Sequence, residues 1–178
     1  VTGKIQKYLL RAQAIEALRE LTQSDLPPDV KLRKHLAGVI NFNFRYPYMT
    51  RLMHVLMRDP KSKNSREISE SFTVPVTQAE ANILNDGMAR GIFRKIDPVL
   101  FYFAAVGACD YLFWGGSALH YVFGLNKIDD AMRRRFIDHM ADLFLQGCLA
   151  KPQGLESGRK PTKPKPNAQL ARTGAARV

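Results

Sequence analysis

Spaced prolines, glycines and polar breaks divide the apolar pattern of the chain into six helical stretches. Residues 2–23 carry two stripes: Ile5, Tyr8, Leu9 and Ala12 on one, and Leu10, Ala14, Ala17 and Leu21 on the other, so this helix is expected to lie between two packed bodies. Pro27 and Pro28 end it and open the next, because proline cannot continue a helix but fits its first turn. Over 29–45, Leu32, Leu36, Val39 and Ile40 share a face. A short third helix begins just after Pro47 and stops before Pro60, with Met49, Leu52, Val55 and Leu56 inward. "KSKNS" reads as a polar loop. The fourth stretch, roughly 65–91, keeps Ile68, Phe72, Val76, Ala79, Ile83 and Gly87 in register, and Pro75 is expected to kink or split it. Asp97 before Pro98 is an N-cap for the fifth, which bends at Gly115–Gly116 and ends at Gly124. The sixth covers about 127–149, with Met132, Phe136, Met140 and Leu143 inward and Ile137 and Phe144 widening that face. No alternating strand and no internal repeat is present in the sequence. The expected fold is all-α, a bundle of about six helices over residues 1–150.

The fifth stretch raises its own question. From Pro98 to Gly124 the chain is almost wholly apolar, long enough to span a bilayer. Asp110 in its middle would cost about 2.5–3.5 kcal/mol there, and Gly115–Gly116, Ser117 and His120 interrupt it further. A helix apolar all round is otherwise a central one, covered on every side, and that is the expectation here. At about 100° per residue, Val99, Phe103, Val106, Asp110 and Trp114 share a large aromatic face with one carboxylate. Phe101, Ala105, Ala108 and Leu112 share the opposite, smoother face. Asn43 falls among the apolar residues of the second helix in the same way. Mostly apolar walls with a few orienting polar groups are the make-up of a ligand pocket. The expected site is therefore Asn43 and Asp110 as the polar end, with Phe72, Phe103 and Trp114 as walls. The expected ligand is a small apolar or amphipathic molecule with a hydrogen-bonding or cationic head. The alternative is that Asn43 and Asp110 are hydrogen-bonded inside the core, to each other or to Tyr102 or Tyr111.

Charge changes this picture little. Residues 151–178 hold seven Lys/Arg against one Glu, so +6 of the net +11 belongs to a Pro/Lys/Arg-rich segment expected to be a disordered tail. Weak, salt-sensitive contact with nucleic acid through that tail is the most its charge implies. Cys109 and Cys148 lie in apolar surroundings without a CxxC pair, which suits buried thiols in a reducing cytoplasm. Asp110, Ser117 and His120 share one side of a helix, but seven residues separate the acid from the serine, about 10 Å along the axis, and no nucleophile elbow accompanies them. No catalytic role is expected. His35, His54, His120 and His139 form no i, i+4 pair, and no phosphate or dinucleotide fingerprint is present, so neither metal nor cofactor is expected. His54 and Arg58, opposite the Leu52/Leu56 face, read as solvated.

The helix order, the corner "RYPYMTRLM" and above all "ARGIFRKIDPVLFYFAAVGACDYLF" resemble the C-terminal regulatory domain of TetR-family transcriptional repressors. The resemblance covers roughly residues 1–150. The family's N-terminal helix-turn-helix has no match in this chain, and "VTGKIQKYLL" looks like the end of the helix that leaves it. The resemblance implies an effector-binding domain that dimerises through its last two long helices. DNA would then be reached only through a missing N-terminal domain, or weakly through the tail. Surplus apolar surface on the fifth and sixth helices points independently to a homodimer, through Phe101, Ala105, Ala108 and Leu112 with Ile137, Ala141 and Phe144. The alternative is a headless helical protein that pairs with full-length relatives and binds no ligand.

Overall fold

The structure, a computed structural model, describes residues 2–150, with side chains from Leu9 onward. The expected tail, 151–178, lies outside the described residues. Among those described the fold is all-α. In chain order it comprises α1 (Thr2–Gln23), α2 (Pro28–Arg45), α3 (Pro47–Leu56), α4 (Lys63–Ile68), a π-helical turn (Ser69–Thr73), α5 (Val74–Ala89), α6 (Pro98–Trp114), α7 (Gly116–Tyr121) and α8 (Asp130–Cys148).

Proline punctuates as the sequence implies. Pro28, Pro47 and Pro98 each open a helix, where a missing N–H loses nothing. The fourth stretch is split beside Pro75, and the π turn that precedes it takes up the lost register. The fifth breaks at Gly115, so α7 is a separate short helix. Ser62 caps α4, its hydroxyl accepting from Ser65 N at 3.1 Å. Asp97 caps α6, with Oδ1 accepting from Val99 N at 2.8 Å and Leu100 N at 3.3 Å. Asp97→Ala should lower the unfolding free energy by about 1 kcal/mol. Urea titration measures this, and an unchanged midpoint would show that the cap adds nothing.

The central helix is α2, not α6. It packs against α8, α5, α6, α1 and α3. Leu32, Leu36 and Ile40 form its inner row and join Ile83 and Leu84 of α5, Cys109 and Phe113 of α6, and Met140 of α8 in one core. The expectation that α6 is covered on every side is corrected: Leu100, Phe103, Tyr111 and Trp114 stand exposed on its outer side. A helix apolar all round has more apolar surface than one chain of this size can cover.

Two other faces are rotated from their expected directions. In α3, Met49 and Thr50 are buried while Val55 is 70% exposed. In α8, Met140 is inward as expected, but Leu143 is 56% exposed, and Ala141, Leu145 and Cys148 complete the inner row. That row drifts around the helix because four residues advance about 400°.

The α5–α6 connection is held closely. Gly91 has φ +69 after the end of α5, a left-handed residue that closes the helix. Its N–H meets Met88 O at 3.1 Å, and Ile92 N meets Gly87 O at 2.9 Å. Beyond the turn, Arg94 N donates to Cys148 O at 2.9 Å and Ala150 N to Ile92 O at 2.9 Å, tying the end of α8 to this corner.

Candidate ligand-binding site

A cavity of about 1180 Å³ lies among α1, α2, α3, the π turn, α5, α6 and the start of α8. Its apolar wall begins with α1, where Leu10, Ala14, Ala17 and Leu21 all face it. These are the second stripe of that helix, so the two-faced pattern of α1 has a structural reason. Phe42 of α2 and Phe72 of the π turn pack against each other in its wall, with ring centroids 6.2 Å apart. Tyr46 continues the aromatic wall, 5.4 Å from Phe42. Met53 of α3, Met57 just after it and Val76 of α5 fill in between.

Polar groups from three helices meet at one place. Thr50 Oγ1 donates to Asn43 Oδ1 at 2.7 Å, and Asn43 Nδ2 donates to Asp110 Oδ1. The alternative in which Asn43 and Asp110 bond each other is thus what the structure contains, and the same two residues also line the cavity. Only Oδ1 of Asp110 is engaged among the described residues, so Oδ2 keeps its acceptor capacity. Burial pushes the Asp110 carboxyl above its ordinary range, against the opposing pull of the Asn43 hydrogen bond and of nearby His54.

A second polar pair lies close by. His35 Nε2 and Glu80 Oε2 are 2.9 Å apart, both side chains buried. His35 lines the cavity. Tyr102 of α6 lines it too, and its phenol is raised by burial and then by the negative charges of Glu80 and Asp110. Lys34, Arg45 and Arg58 stand at its edge with exposed side chains. Arg133 is held by Asp130 at 2.6 Å and sits 5.3 Å above the Phe44 ring.

Of the five expected site residues, Asn43, Phe72 and Asp110 line this cavity. Phe103 and Trp114 do not, and this is a correction: they are 68% and 59% exposed. The reason is rotation. The cavity row on α6 is Tyr102, Val106 and Asp110, advancing about 40° every four residues. Phe103 and Trp114 fall past its edge, and Trp114 leans on His54 at 5.9 Å instead. His54 and Arg58, read as solvated, are exposed and also border the cavity.

The expected dimer surface is corrected as well. Phe101, Ala105 and Ala141 are buried in the chain's own core, and Phe101 packs edge-on against Phe144 at 5.3 Å. Ala108, Leu112, Ile137 and Phe144 are half-buried against the same core. The smooth face of α6 packs within the same chain, and Leu100, Phe103, Tyr111 and Trp114 are left exposed.

Thr50 and Glu80 went unnoticed in the sequence, while Tyr102 was read only as a core hydrogen-bond partner and His35 only as a residue without metal-ligand spacing. A signal existed for two of them: His35 lies between Leu32 and Val39, and Glu80 between Val76 and Ile83, each a polar residue in an apolar stripe. The Asp110, Ser117, His120 constellation does not assemble: Ser117 and His120 are on α7, and His120 Nδ1 pairs with Asn126 Oδ1 at 2.8 Å. Among the described residues no helix is long and apolar enough to cross a membrane.

A comparison with curated proteins gives no match. The family described as Tetracyclin repressor-like, C-terminal domain, matches residues 25–155, a span that holds the central helix and the Thr50–Asn43–Asp110 relay. The chain thus belongs to the TetR family, through the all-α C-terminal domain of its regulators.

Proposed function

We propose that this domain senses a small, largely apolar effector and pairs with a second copy of itself in a transcriptional regulator. The observation that carries the reading is the cavity: about 1180 Å³ in a half-open cleft, walled by aliphatic and aromatic side chains, with the Thr50–Asn43–Asp110 relay on its lining. A pairing module that bound no ligand would have its core filled, so the open space favours the sensing reading over the headless one. The polar groups are too few and too mutually engaged for acid–base work, and the regulatory family supports no catalytic role.

The cavity also suggests how sensing is transmitted. Leu10, Ala14, Ala17 and Leu21 make α1 one of its walls. By the family resemblance α1 leads toward the DNA-reading region of a complete regulator, so a ligand would act directly on the connecting helix, coupling two sites. The free, buried thiols of Cys109 and Cys148, raised by burial to about 12 and about 11, are inert and suit a cytoplasmic protein.

A thermal-shift screen of mixed apolar metabolites tests the sensing reading. Wild type should give hits. Phe72→Ala should shrink every shift, because it removes a wall. Asp110→Ala should compress differences between head groups while leaving apolar hits in place. Hits whose ranking and size are untouched in both variants would place the binding elsewhere and end this reading of the cavity.

A further inference from the structure

We infer that the effector is an amphipathic anion: a carboxylate or phosphate head on an apolar body, lying in the cleft with its body inward and its head at the mouth, between Lys34 and Arg45 of α2. This rests on the sensing reading above and names the chemistry of the ligand.

The first support is the order in which α2 meets the cleft. At about 100° per residue, Lys34, Gly38 and Arg45 lie within about 40° of one another on that helix. All three line the cleft and all three are exposed, so they mark its mouth. Phe42 and Tyr46 come next around the helix, half-buried, and Asn43 is innermost and buried. A molecule entering past α2 therefore meets cations, then aromatic rings, then the Thr50–Asn43–Asp110 relay. Asp110 stands at the inner end and acts on the buried end of a ligand; the mouth acts on the other. Gly38 opens that mouth. A Cβ there would meet nothing within 4 Å, and a glycine inside a helix is unfavourable. Its lack of a side chain leaves room for a head group between the two long ones, about one turn from Lys34 and about two from Arg45.

The second support is the charge balance. The lining holds four fixed cations, Lys34, Arg45, Arg58 and Arg133, against two acids, Asp110 and Asp130. Asp130 is already bonded to Arg133 and Arg134. Arg133 also donates to Asn41, next to the mouth on α2, which holds its positive charge beside the strip. Lys34, Arg45 and Arg58 form no ion pair among the described residues. A cleft lined by an excess of one sign of charge between low-dielectric walls concentrates ions of the other sign. Ammonium and guanidinium groups without an acid partner bind carboxylate or phosphate through charge-assisted hydrogen bonds. Water and salt screen groups this exposed, so the discrimination is greatest at low ionic strength. A cationic head would be repelled by the same groups.

The test uses four decyl compounds: decanoate, decyl phosphate, decanol and decyltrimethylammonium. Each is titrated calorimetrically into the full chain at pH 7.5 and about 50 mM salt, below its micelle-forming concentration. At least one anion should bind at least tenfold tighter than the alcohol, with the ammonium weakest; which anion leads separates a carboxylate source from a phosphate ester. Lys34→Gln and Arg45→Gln combined should weaken that anion about tenfold and leave the alcohol within twofold. Gly38→Glu sets an acid between the two cations and should cancel the anion's lead. It provides a second route, because the position has room and glutamate is a better helix former than glycine. Equal binding of anion and alcohol, an ammonium that binds tightest, or an anion preference that survives both variants would overturn the anion at this mouth while leaving the sensing cavity intact. Failure of all four probes up to their solubility limits would instead remove the sensing reading, and the anion with it.

Discussion

Gly107→Arg should turn a dimer of about 40 kDa into a folded monomer of 20.1 kDa, as judged by light scattering at micromolar concentration. The exposed row of α6 runs Leu100, Ala104, Gly107, Tyr111 and Trp114, at spacings of four, three, four and three residues. That is the spacing of a helix seam. Gly107 lies in the middle of it, and a Cβ there would meet nothing within 4 Å. A mid-helix glycine costs about 1 kcal/mol against alanine, and nothing within the chain accounts for it. A second helix approaching closely at that point does. On α8, Leu143 and Gly147 stand exposed in the same manner, and we take both helices as the surface that a second copy covers. An arginine in the seam would bury an unpaired charge and raise the dimer dissociation constant at least a hundredfold, about 3 kcal/mol. The monomer should keep its helicity, since arginine is a better helix former than glycine. A wild-type mass of 20.1 kDa would remove the dimer. A dimer that survives the substitution would move its surface away from α6.

Gly87→Val should lower the melting temperature by about 10 °C, from roughly 3 kcal/mol of overpacking in a domain of this size. A Cβ at Gly87 would come within 2.0 Å of Phe93 Cδ2 and 2.8 Å of its Cγ. The ring cannot swing aside cheaply. Phe93 is buried in the core, its N–H is bonded to Gly87 O at 3.0 Å, and the next residue is bonded to Cys148 O. Helix propensity favours valine over glycine by only about 0.3 kcal/mol, so the clash decides the sign. Far-ultraviolet circular dichroism on heating measures the effect, and a variant as stable as wild type would show that Phe93 does not lie over α5.

How far the sequence carried the fold depended on how local each rule is. Pro28, Pro47 and Pro98 mark helix starts because a missing N–H acts within one turn, and Asp97 caps α6 by reaching its own neighbours. Asn43 and Asp110 were legible because a polar residue in an apolar stripe must find a partner or a purpose. His35 and Glu80 gave the same kind of signal, yet their pairing joins positions 45 residues apart, which no spacing reveals. Phe103 and Trp114 were misplaced because α6 is apolar on all sides. With no polar face to orient it, its pattern does not say which aromatic points inward. The same ambiguity exchanged the covered and bare faces in the expected dimer surface. Burial of Phe101, Ala105 and Ala141 within one chain follows from where α2 lies, a tertiary fact absent from the periodicity of either helix.

The π turn at Ser69–Thr73 makes the cavity wall sensitive to chain length rather than to side-chain identity. One residue fewer in that turn would turn everything before it by about 100° relative to α5, with Pro75 still interrupting the hydrogen-bond ladder. Phe72, carried in the turn, would leave its place against Phe42 while its surroundings kept their composition. Among relatives of this chain, a single-residue deletion here would therefore mark a change of effector more surely than any substitution lining the cavity.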